Sequence, residues 1–140
     1  MMKTYQGSCH CGAVQFACEL DLAAGTTRCN CSFCVKNRLW LAFAKGDAFR
    51  LLKGAEALTD YQHTPPGRPG PFLHLTFCRQ CGVRPFAHAP ASEQLGEAFH
   101  AVNVACLDQV SDEDLTCIPV RYADGRNNDW SSTPALHQHL

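Results

Sequence analysis

The stretch Phe77-Cys78-Arg79-Gln80-Cys81-Gly82 ends a strand-like segment with a CxxC pair and a trailing glycine. This is typical of a tight metal-binding turn, in which backbone N–H groups donate to the sulfur atoms and glycine permits a positive φ. A thioredoxin-like redox pair would begin a helix within a βαβ pattern, which the sequence lacks. Cys9-His10-Cys11-Gly12 has the same character far earlier in the chain. Two short pairs so far apart predict one Cys₄ zinc site that joins distant strands.

A further cluster, Cys29-Asn30-Cys31-Ser32-Phe33-Cys34, supplies three thiols, so the three clusters hold seven of the ten cysteines. A closed structural zinc site uses four protein ligands, whereas a catalytic site uses three and leaves one position open. The sequence therefore allows one site of each kind. A second closed zinc site or an iron–sulfur cluster remains an alternative, with a histidine or another cysteine as the fourth ligand. The other cysteines are more typical of small buried apolar residues: Cys18, Cys106 and Cys117.

Other polar residues near the clusters are candidates for substrate contacts. Arg38, Arg79 and Arg84 can hold a carboxylate bidentately or remain solvated surface charges. Trp130 is expected to pack in the interior or to wall a pocket, as is Trp40. The histidines are expected to be ordinary strand, loop or terminal residues rather than ligands: His10, His63, His74, His88, His100, His137 and His139.

Composition limits the class of protein. The chain has 140 residues, a length that predicts one domain over residues 1–140. Its formal net charge is −1, so we expect no positively charged surface for nucleic acid or an anionic membrane. Its longest apolar stretch, Leu39 to Ala44, is too short to cross a bilayer. The N-terminal residues lack an apolar signal core, and CxC and CxxC pairs close loops too short for effective disulfides. We therefore expect a reduced, cytoplasmic, metal-binding protein.

The periodicity of the sequence is mostly that of β-strands. Apolar residues alternate from Val14 to Leu20 and again from Leu73 to Phe77, which predicts two half-buried strands. Helical signals are short: Ser32 to Arg38, and the capping pattern Ser111-Asp112-Glu113-Asp114. The proline-rich segment Thr64 to Pro71 predicts a loop. The class is therefore mainly β with short helical turns, and further strands are expected at Leu39–Phe43, Phe49–Leu52, Leu58–Gln62, Ala98–Val104 and Ile118–Tyr122.

The cysteine motifs, in this order, resemble those of the glutathione-dependent formaldehyde-activating enzyme family, which also includes centromere protein V. The matching motifs are Gly7 to Val14, Cys29 to Cys34 and Phe77 to Gly82. Ala101 to Asp108 and Asp124 to Trp130 also resemble segments of family members, so the resemblance spans nearly the whole chain. It implies a β-tent, a zinc-stapled fold of several coiled antiparallel sheets.

The resemblance also implies a set of metal sites and an activity. It implies two zinc ions per chain, a structural one at Cys9, Cys11, Cys78 and Cys81, and a second one, which can exchange, at Cys29, Cys31 and Cys34 with an open catalytic position. The family's founding activity condenses glutathione with formaldehyde to S-(hydroxymethyl)glutathione and is classed as a carbon–sulfur lyase. The expected partner is thus a small thiol such as glutathione. The alternatives are a non-catalytic module that binds or carries a small thiol, and a module that binds a protein partner or chromatin; the last is disfavoured because the chain lacks a basic patch.

Overall fold

The computed structural model describes residues 1–93 and 95–140, and in these the chain is mainly β, which confirms the predicted class. The two α-helices are short: α1 Ser32–Asn37 and α2 Asp112–Cys117. The strands are β1 Lys3–Ser8, β2 Gln15–Leu20, β3 Thr26–Cys29, β4 Leu41–Lys45, β5 Phe49–Lys53, β6 Leu58–Tyr61, β7 Leu75–Cys78, β8 Phe86–Ala89, β9 Phe99–Asn103 and β10 Val120–Ala123. No helix in the described part of the chain is long and apolar enough to cross a membrane.

The strands form three sheets. One has the order β1-β2-β5, a second β10-β3-β4-β9-β8, and a two-stranded sheet joins β6 to β7. All pairs are antiparallel except β10 with β3, which run parallel. Parallel strands need a long crossover connection, and here it comprises all the elements from α1 to α2. All seven predicted strands are present, although β1, β3 and β8 were not predicted.

The five-stranded sheet has one core face and one face that borders a cavity. Side chains alternate along each strand, so Ala42 and Val102 are buried in the core while their neighbours Leu41 and Ala101 point to the other side. Phe16 occupies the centre of the core and is fully buried. Its ring stacks on Phe49 at 5.4 Å between centroids. The two larger sheets therefore enclose one hydrophobic core.

A row of histidine rings extends this core toward β7. The His100 ring stacks on Phe49 at 3.8 Å between centroids, and His88 lies 5.3 Å from His100 and 4.6 Å from His74. The row ends where His74 Nδ1 contacts a carboxylate oxygen of Asp60 at 2.7 Å. Burial, with the positive charge of a protonated His88 as a second cause, lowers the pKa of His100 to about 4 from its usual 6.5. Burial also lowers the pKa of His88, so these two rings favour the neutral imidazole.

We predict that His100 makes the fold sensitive to acid. Its folded pKa lies below the unfolded value, so the unfolded chain binds the extra proton, and stability is lost as pH falls from about 6.5 toward about 4. The loss approaches about 1.4 kcal/mol per pH unit in that window. His100→Phe keeps the stack but removes the titration, so chemical denaturation at pH 7 and pH 5 should differ less than in the wild type. His139→Gln, at an exposed position, should retain the wild-type difference. If the free energy of unfolding fell equally between pH 7 and pH 5 in His100→Phe and in the wild type, His100 would not be the source of the acid sensitivity.

Candidate metal centres and the adjoining cavity

The first cysteine cluster brings together both outer pairs predicted from sequence. The sulfur atoms of Cys9, Cys11, Cys78 and Cys81 all lie within 4.8 Å of one another. The Cys9–Cys11 and Cys11–Cys78 sulfur distances are both 3.7 Å. Four sulfurs at zinc–sulfur bond lengths of about 2.3 Å stand about 3.8 Å apart at the corners of a tetrahedron. This donor set therefore fits zinc.

Each pair of this cluster sits in a turn that the local sequence dictates. The Gly12 N–H donates to the Cys9 carbonyl at 3.2 Å and the Gly82 N–H to the Cys78 carbonyl at 2.7 Å. Both glycines have φ near +80°, at +79° and +78°, where a side chain would be strained. The Val14 N–H donates to the Cys9 sulfur at 3.3 Å. The two turns are thus alike, as expected from their similar sequences.

Backbone donors favour the thiolate form of one cysteine in this cluster, Cys81. The N–H groups of Cys11 and Val83 lower the pKa of Cys81 to about 6 from the usual 9.0. Cys9 and Cys78 are buried within the hydrophobic core, whereas Cys11 is exposed. A metal ligand must be deprotonated, so a turn that already favours a thiolate lowers the cost of binding the ion.

The second cluster gathers the three sulfurs of Cys29, Cys31 and Cys34 within 4.8 Å of one another. Cys29 is the last residue of β3, and Cys31 is the N-cap of α1. The Cys31 N–H donates to the Cys29 sulfur at 3.3 Å, and the Cys34 N–H donates to the Cys31 sulfur at 3.4 Å. The strand end and the helix start therefore hold the three thiols on one side of a short turn.

The surroundings of Cys31 favour its thiolate form over those of the other two cysteines in this cluster. Hydrogen bonds from the thiols of Cys29 and Cys34 lower the pKa of Cys31 to about 3, and the backbone N–H groups of Cys34 and Phe33 act in the same direction. Hydrogen bonds with Cys29 and Cys31 raise the pKa of Cys34, and the hydrogen bond with Cys31 raises that of Cys29. Three soft sulfur donors in this arrangement are suited to zinc.

The remaining cysteines do not complete the second cluster. In residues 1–93 and 95–140, no further cysteine, histidine or carboxylate joins its three sulfurs. Cys18 and Cys106 are buried in the core, and burial raises the pKa of each thiol to about 12. Cys117 is exposed at the end of α2. The cluster therefore offers three ligands from the described part of the chain.

The segment after β10 packs directly on the second cluster. Asn30, between two of the cysteines, donates from Nδ2 to Asp124 Oδ1 at 2.8 Å and accepts at Oδ1 from the Arg126 N–H at 3.0 Å. A Cβ at Gly125 would lie 2.5 Å from the Cys29 sulfur and 3.0 Å from Trp130 Nε1. Only a glycine fits between this sulfur and the indole.

We predict that Gly125→Ala disrupts the second cluster while leaving the fold intact. The added methyl must displace the Cys29 sulfur or the Trp130 indole, and a zinc ligand tolerates a shift of only about 0.2 Å. Metal retained by the purified protein should fall by about half in elemental analysis, with a melting temperature within a few degrees of the wild type. Gly70→Ala is the matched control, because nothing lies within 4 Å of its Cβ. Full metal content in Gly125→Ala would contradict this view of the cluster.

A cavity of about 380 Å³ opens beside the second cluster. Its floor is the outer face of the five-stranded sheet, and the predicted loop from Thr64 to Pro71 contributes Pro65, Pro66 and Arg68 to its wall. The Asn128 side chain donates to the Pro66 carbonyl at 3.0 Å, which ties this loop to the segment after β10. All three cysteines of the cluster line the cavity, so a ligand inside it reaches their metal site.

Four arginines line this cavity, and no carboxylate side chain does so among the described residues. We call them the cavity arginines: Arg68, Arg84, Arg121 and Arg126. Of the three arginines proposed from sequence, only Arg84 is in this group. Arg38 instead donates to the His139 carbonyl at 3.3 Å, and Arg79 is exposed outside the cavity. The cavity is therefore electrostatically suited to an anion.

Arg84 is held in place by contacts on several sides. Its guanidinium carbon lies 4.7 Å from the centroid of the Phe33 ring and 4.9 Å from that of Phe77. Nε donates to Asn37 Oδ1 at 3.0 Å and an Nη donates to the Leu75 carbonyl at 2.9 Å. Phe33 belongs to α1, between Cys31 and Cys34, so this arginine is fixed next to the second cluster.

The other cavity arginines also lie at the cluster end. Arg121 pairs in register with Thr27, two residues before Cys29, and donates to the Trp130 carbonyl at 2.7 Å. The Arg68 guanidinium lies over the Trp130 ring at 5.6 Å. Arg126 directly follows Gly125, which packs on the Cys29 sulfur.

Sequence reasoning missed several residues that line the cavity. His63, expected to be an ordinary loop residue, lies against Phe33 with ring centroids 6.2 Å apart. Arg126 and Trp130 fall within the segment from Asp124 to Trp130, whose resemblance to family members was the available signal. Arg68 and Arg121 carried no such signal, because a loop and a distant strand bring them to the cluster only in the folded chain.

Comparison with known proteins agrees with these observations. The family model described as "Glutathione-dependent formaldehyde-activating enzyme" matches residues 4–121. A Halomonas elongata protein named as a putative glutathione-dependent formaldehyde-activating enzyme is 34% identical over 98 residues, which cover 67% of this chain and 62% of that protein. The match thus spans less than two thirds of that relative's length. A crystal structure of a Rhodobacter sphaeroides protein is 35% identical with a TM-score of 0.64, over 83% of this chain and 99% of that one.

Proposed function

The chain belongs to the glutathione-dependent formaldehyde-activating enzyme family, and we propose that it is a zinc-dependent carbon–sulfur lyase that joins glutathione to formaldehyde. The thiol S–H adds across the C=O bond, so that a C–S bond forms and the proton ends on the carbonyl oxygen. The observation that carries this proposal is the opening of a three-sulfur cluster onto a cavity with four arginines. Nothing is oxidised or reduced, and the reverse reaction releases the aldehyde.

Two zinc sites are part of the proposal. Cys9, Cys11, Cys78 and Cys81 would hold a structural ion, and the second cluster, Cys29, Cys31 and Cys34, would hold a catalytic one. Zinc bound to three thiolates would keep a position free for the substrate sulfur and would favour its thiolate form. The sulfurs of the second cluster are fixed by β3 and α1, so the chain supplies this position without rearrangement.

The residues around the second cluster would bind and orient the substrate. Glutathione has two carboxylates, and the cavity arginines offer bidentate partners at the cluster end. Arg84 is already held by Phe33, Phe77 and Asn37, so little side-chain entropy is lost when it binds an anion. His63 lines the same cavity, and within this proposal its imidazole transfers the thiol proton. Because both reactants would be held in one cavity, their reaction would become effectively unimolecular and would need no further bimolecular encounter.

The proposal is tested by binding and by turnover measured on the same zinc-loaded protein. Calorimetry should show glutathione binding in the millimolar range or tighter, and S-methylglutathione, which has no free thiol, should bind more weakly. Exchange between free formaldehyde and S-(hydroxymethyl)glutathione, followed by NMR, should be faster with the protein than in buffer. Binding without faster exchange would favour the alternative of a thiol-carrying module. No binding of glutathione would exclude both.

A further inference from the structure

The cavity is much larger than formaldehyde, and its charged and apolar lining residues lie at opposite ends. Arg84 contacts α1 at the end next to the second cluster, and Arg126 follows Gly125, which packs on the Cys29 sulfur. Arg68 and Arg121 contact Trp130, whose indole lies against the same glycine. The other end has no charged side chain among the described lining residues. We call this other part the apolar end, formed by Phe43, Ala87, Phe99 and Ala101.

The strand register gives the distance between the two ends. Thr27 of β3 pairs with Leu41 of β4 in an antiparallel ladder. Cys29 lies two residues to one side of this pair and Phe43 lies two residues to the other. Four residue steps at about 3.4 Å each separate them by about 14 Å along the strands. A ligand sulfur at the second cluster therefore leaves room for a long group that points toward Phe43.

The apolar end has the shape of a slot. Phe43 and Ala87 both pair in register with Ala101, so two adjacent alanines form a flat floor beside a phenylalanine ring. Phe43 and Phe99 pack edge to face with centroids 5.7 Å apart. Phe43 nevertheless remains 45% exposed. An apolar chain that covered these rings and the alanine floor would be removed from water at a favourable free energy.

From this arrangement we infer that the carbonyl substrate of this chain includes aliphatic aldehydes of medium chain length, such as octanal, whose alkyl group fits within the distance of about 14 Å along the strands. The inference rests on the proposed function and specifies the substrate class of the same site. Glutathione carboxylates lie on the cavity arginines, its sulfur lies at the second cluster, and the alkyl group of the aldehyde lies along the apolar end. The chemical step is unchanged: the S–H bond adds across C=O and the product is an S-(1-hydroxyalkyl)glutathione. Formaldehyde leaves the apolar end unfilled.

The inference is tested first by binding, with stable thioethers in place of the labile adducts. S-octylglutathione should bind the zinc-loaded protein at least about tenfold more tightly than S-methylglutathione in calorimetry. Phe43→Gln should reduce this ratio to about threefold or less, because it removes the apolar ring over the slot. Leu52→Gln is the matched control: it is 46% exposed on β5, outside the cavity, and should keep the wild-type ratio. Equal affinities for the two thioethers in the wild type would overturn the inference.

A kinetic experiment separates this inference from the proposed function. The rate of adduct exchange is measured for octanal and for formaldehyde, each with glutathione. Faster exchange with both aldehydes, and a larger fractional loss in Phe43→Gln for octanal than for formaldehyde, is the expected result. Catalysis of formaldehyde exchange alone would overturn the inference and leave the proposed function intact. A tenfold preference for S-octylglutathione without catalysis of either aldehyde would show that the slot exists but that the proposed enzyme activity is wrong, and octanal would then be no substrate.

Discussion

Cys78→Ser is expected to unfold most of the protein at room temperature. Cys78 is fully buried at the end of β7, and its sulfur lies 3.7 Å from that of Cys11, a residue 67 positions earlier. Metal binding to structural thiolate sites in zinc fingers contributes about 10–16 kcal/mol, whereas an entire domain is stable by only about 5–15 kcal/mol. Loss of one of four ligands, with a hydroxyl left in an apolar core, would therefore consume most of the folding free energy.

Soluble yield, metal content and thermal unfolding are measured for Cys78→Ser, for Cys117→Ser and for the wild type. Cys117→Ser is the matched control, since Cys117 is exposed and belongs to neither cluster. It should behave like the wild type. We expect Cys78→Ser to aggregate or to lose its cooperative transition. A soluble Cys78→Ser protein that keeps two metal ions and the wild-type melting temperature would show that the first cluster is not a structural metal site.

Much of the fold and the two cysteine clusters could be predicted because their signals are local. Cysteines two or three residues apart can face one ion, and glycine at Gly12 or Gly82 marks the turn that holds them. Strands with one buried face, such as β2, show a period of two in their apolar residues. Each of these features is therefore encoded by residues that lie close together in the sequence.

The missed strands lack that local signal. β1, Lys3–Ser8, is an edge strand with mostly exposed polar residues and is held by its register with β2. β3, Thr26–Cys29, buries two threonines, and Thr26 accepts at its hydroxyl from Trp40 Nε1 at 2.7 Å. Polar side chains that are buried with hydrogen-bond partners cannot be told apart from loop residues in the sequence. Their burial depends on tertiary partners that no short window contains.

Only one of the four arginines that line the cavity, Arg84, could be proposed from sequence. Arg68 comes from a proline-rich loop and Arg121 from the strand parallel to β3, and they meet only around Trp130. The sequence favoured arginines close to the cysteines in the chain, but Arg38 and Arg79 point elsewhere. Nearness in sequence predicts a contact only within one turn or hairpin.

Cys34→Ser should abolish binding of glutathione while leaving the fold intact. Cys34 lies in α1, a six-residue helix with no buried residue, so its substitution leaves the hydrophobic core unchanged. The four-sulfur site is separate from this helix and would keep its own ion. With two sulfurs left, the second cluster can no longer hold zinc in a three-thiolate site, and the substrate sulfur loses its binding position. We expect one metal ion per chain in place of two and a melting temperature within a few degrees of the wild type.

The effect on binding should be large, because the thiolate–metal bond is the contact that the cavity arginines cannot replace. We expect the dissociation constant for glutathione in calorimetry to rise by about 100-fold, to the weak affinity that S-methylglutathione has through its carboxylates. Lys36→Ala, on the exposed side of the same helix, is the control and should bind glutathione like the wild type. S-methylglutathione provides a second comparison, since its weak binding through the carboxylates should be nearly the same in Cys34→Ser and the wild type. If Cys34→Ser instead binds glutathione with unchanged affinity, the thiol does not bind at the second cluster, and the cavity recognises its ligand through the arginines alone.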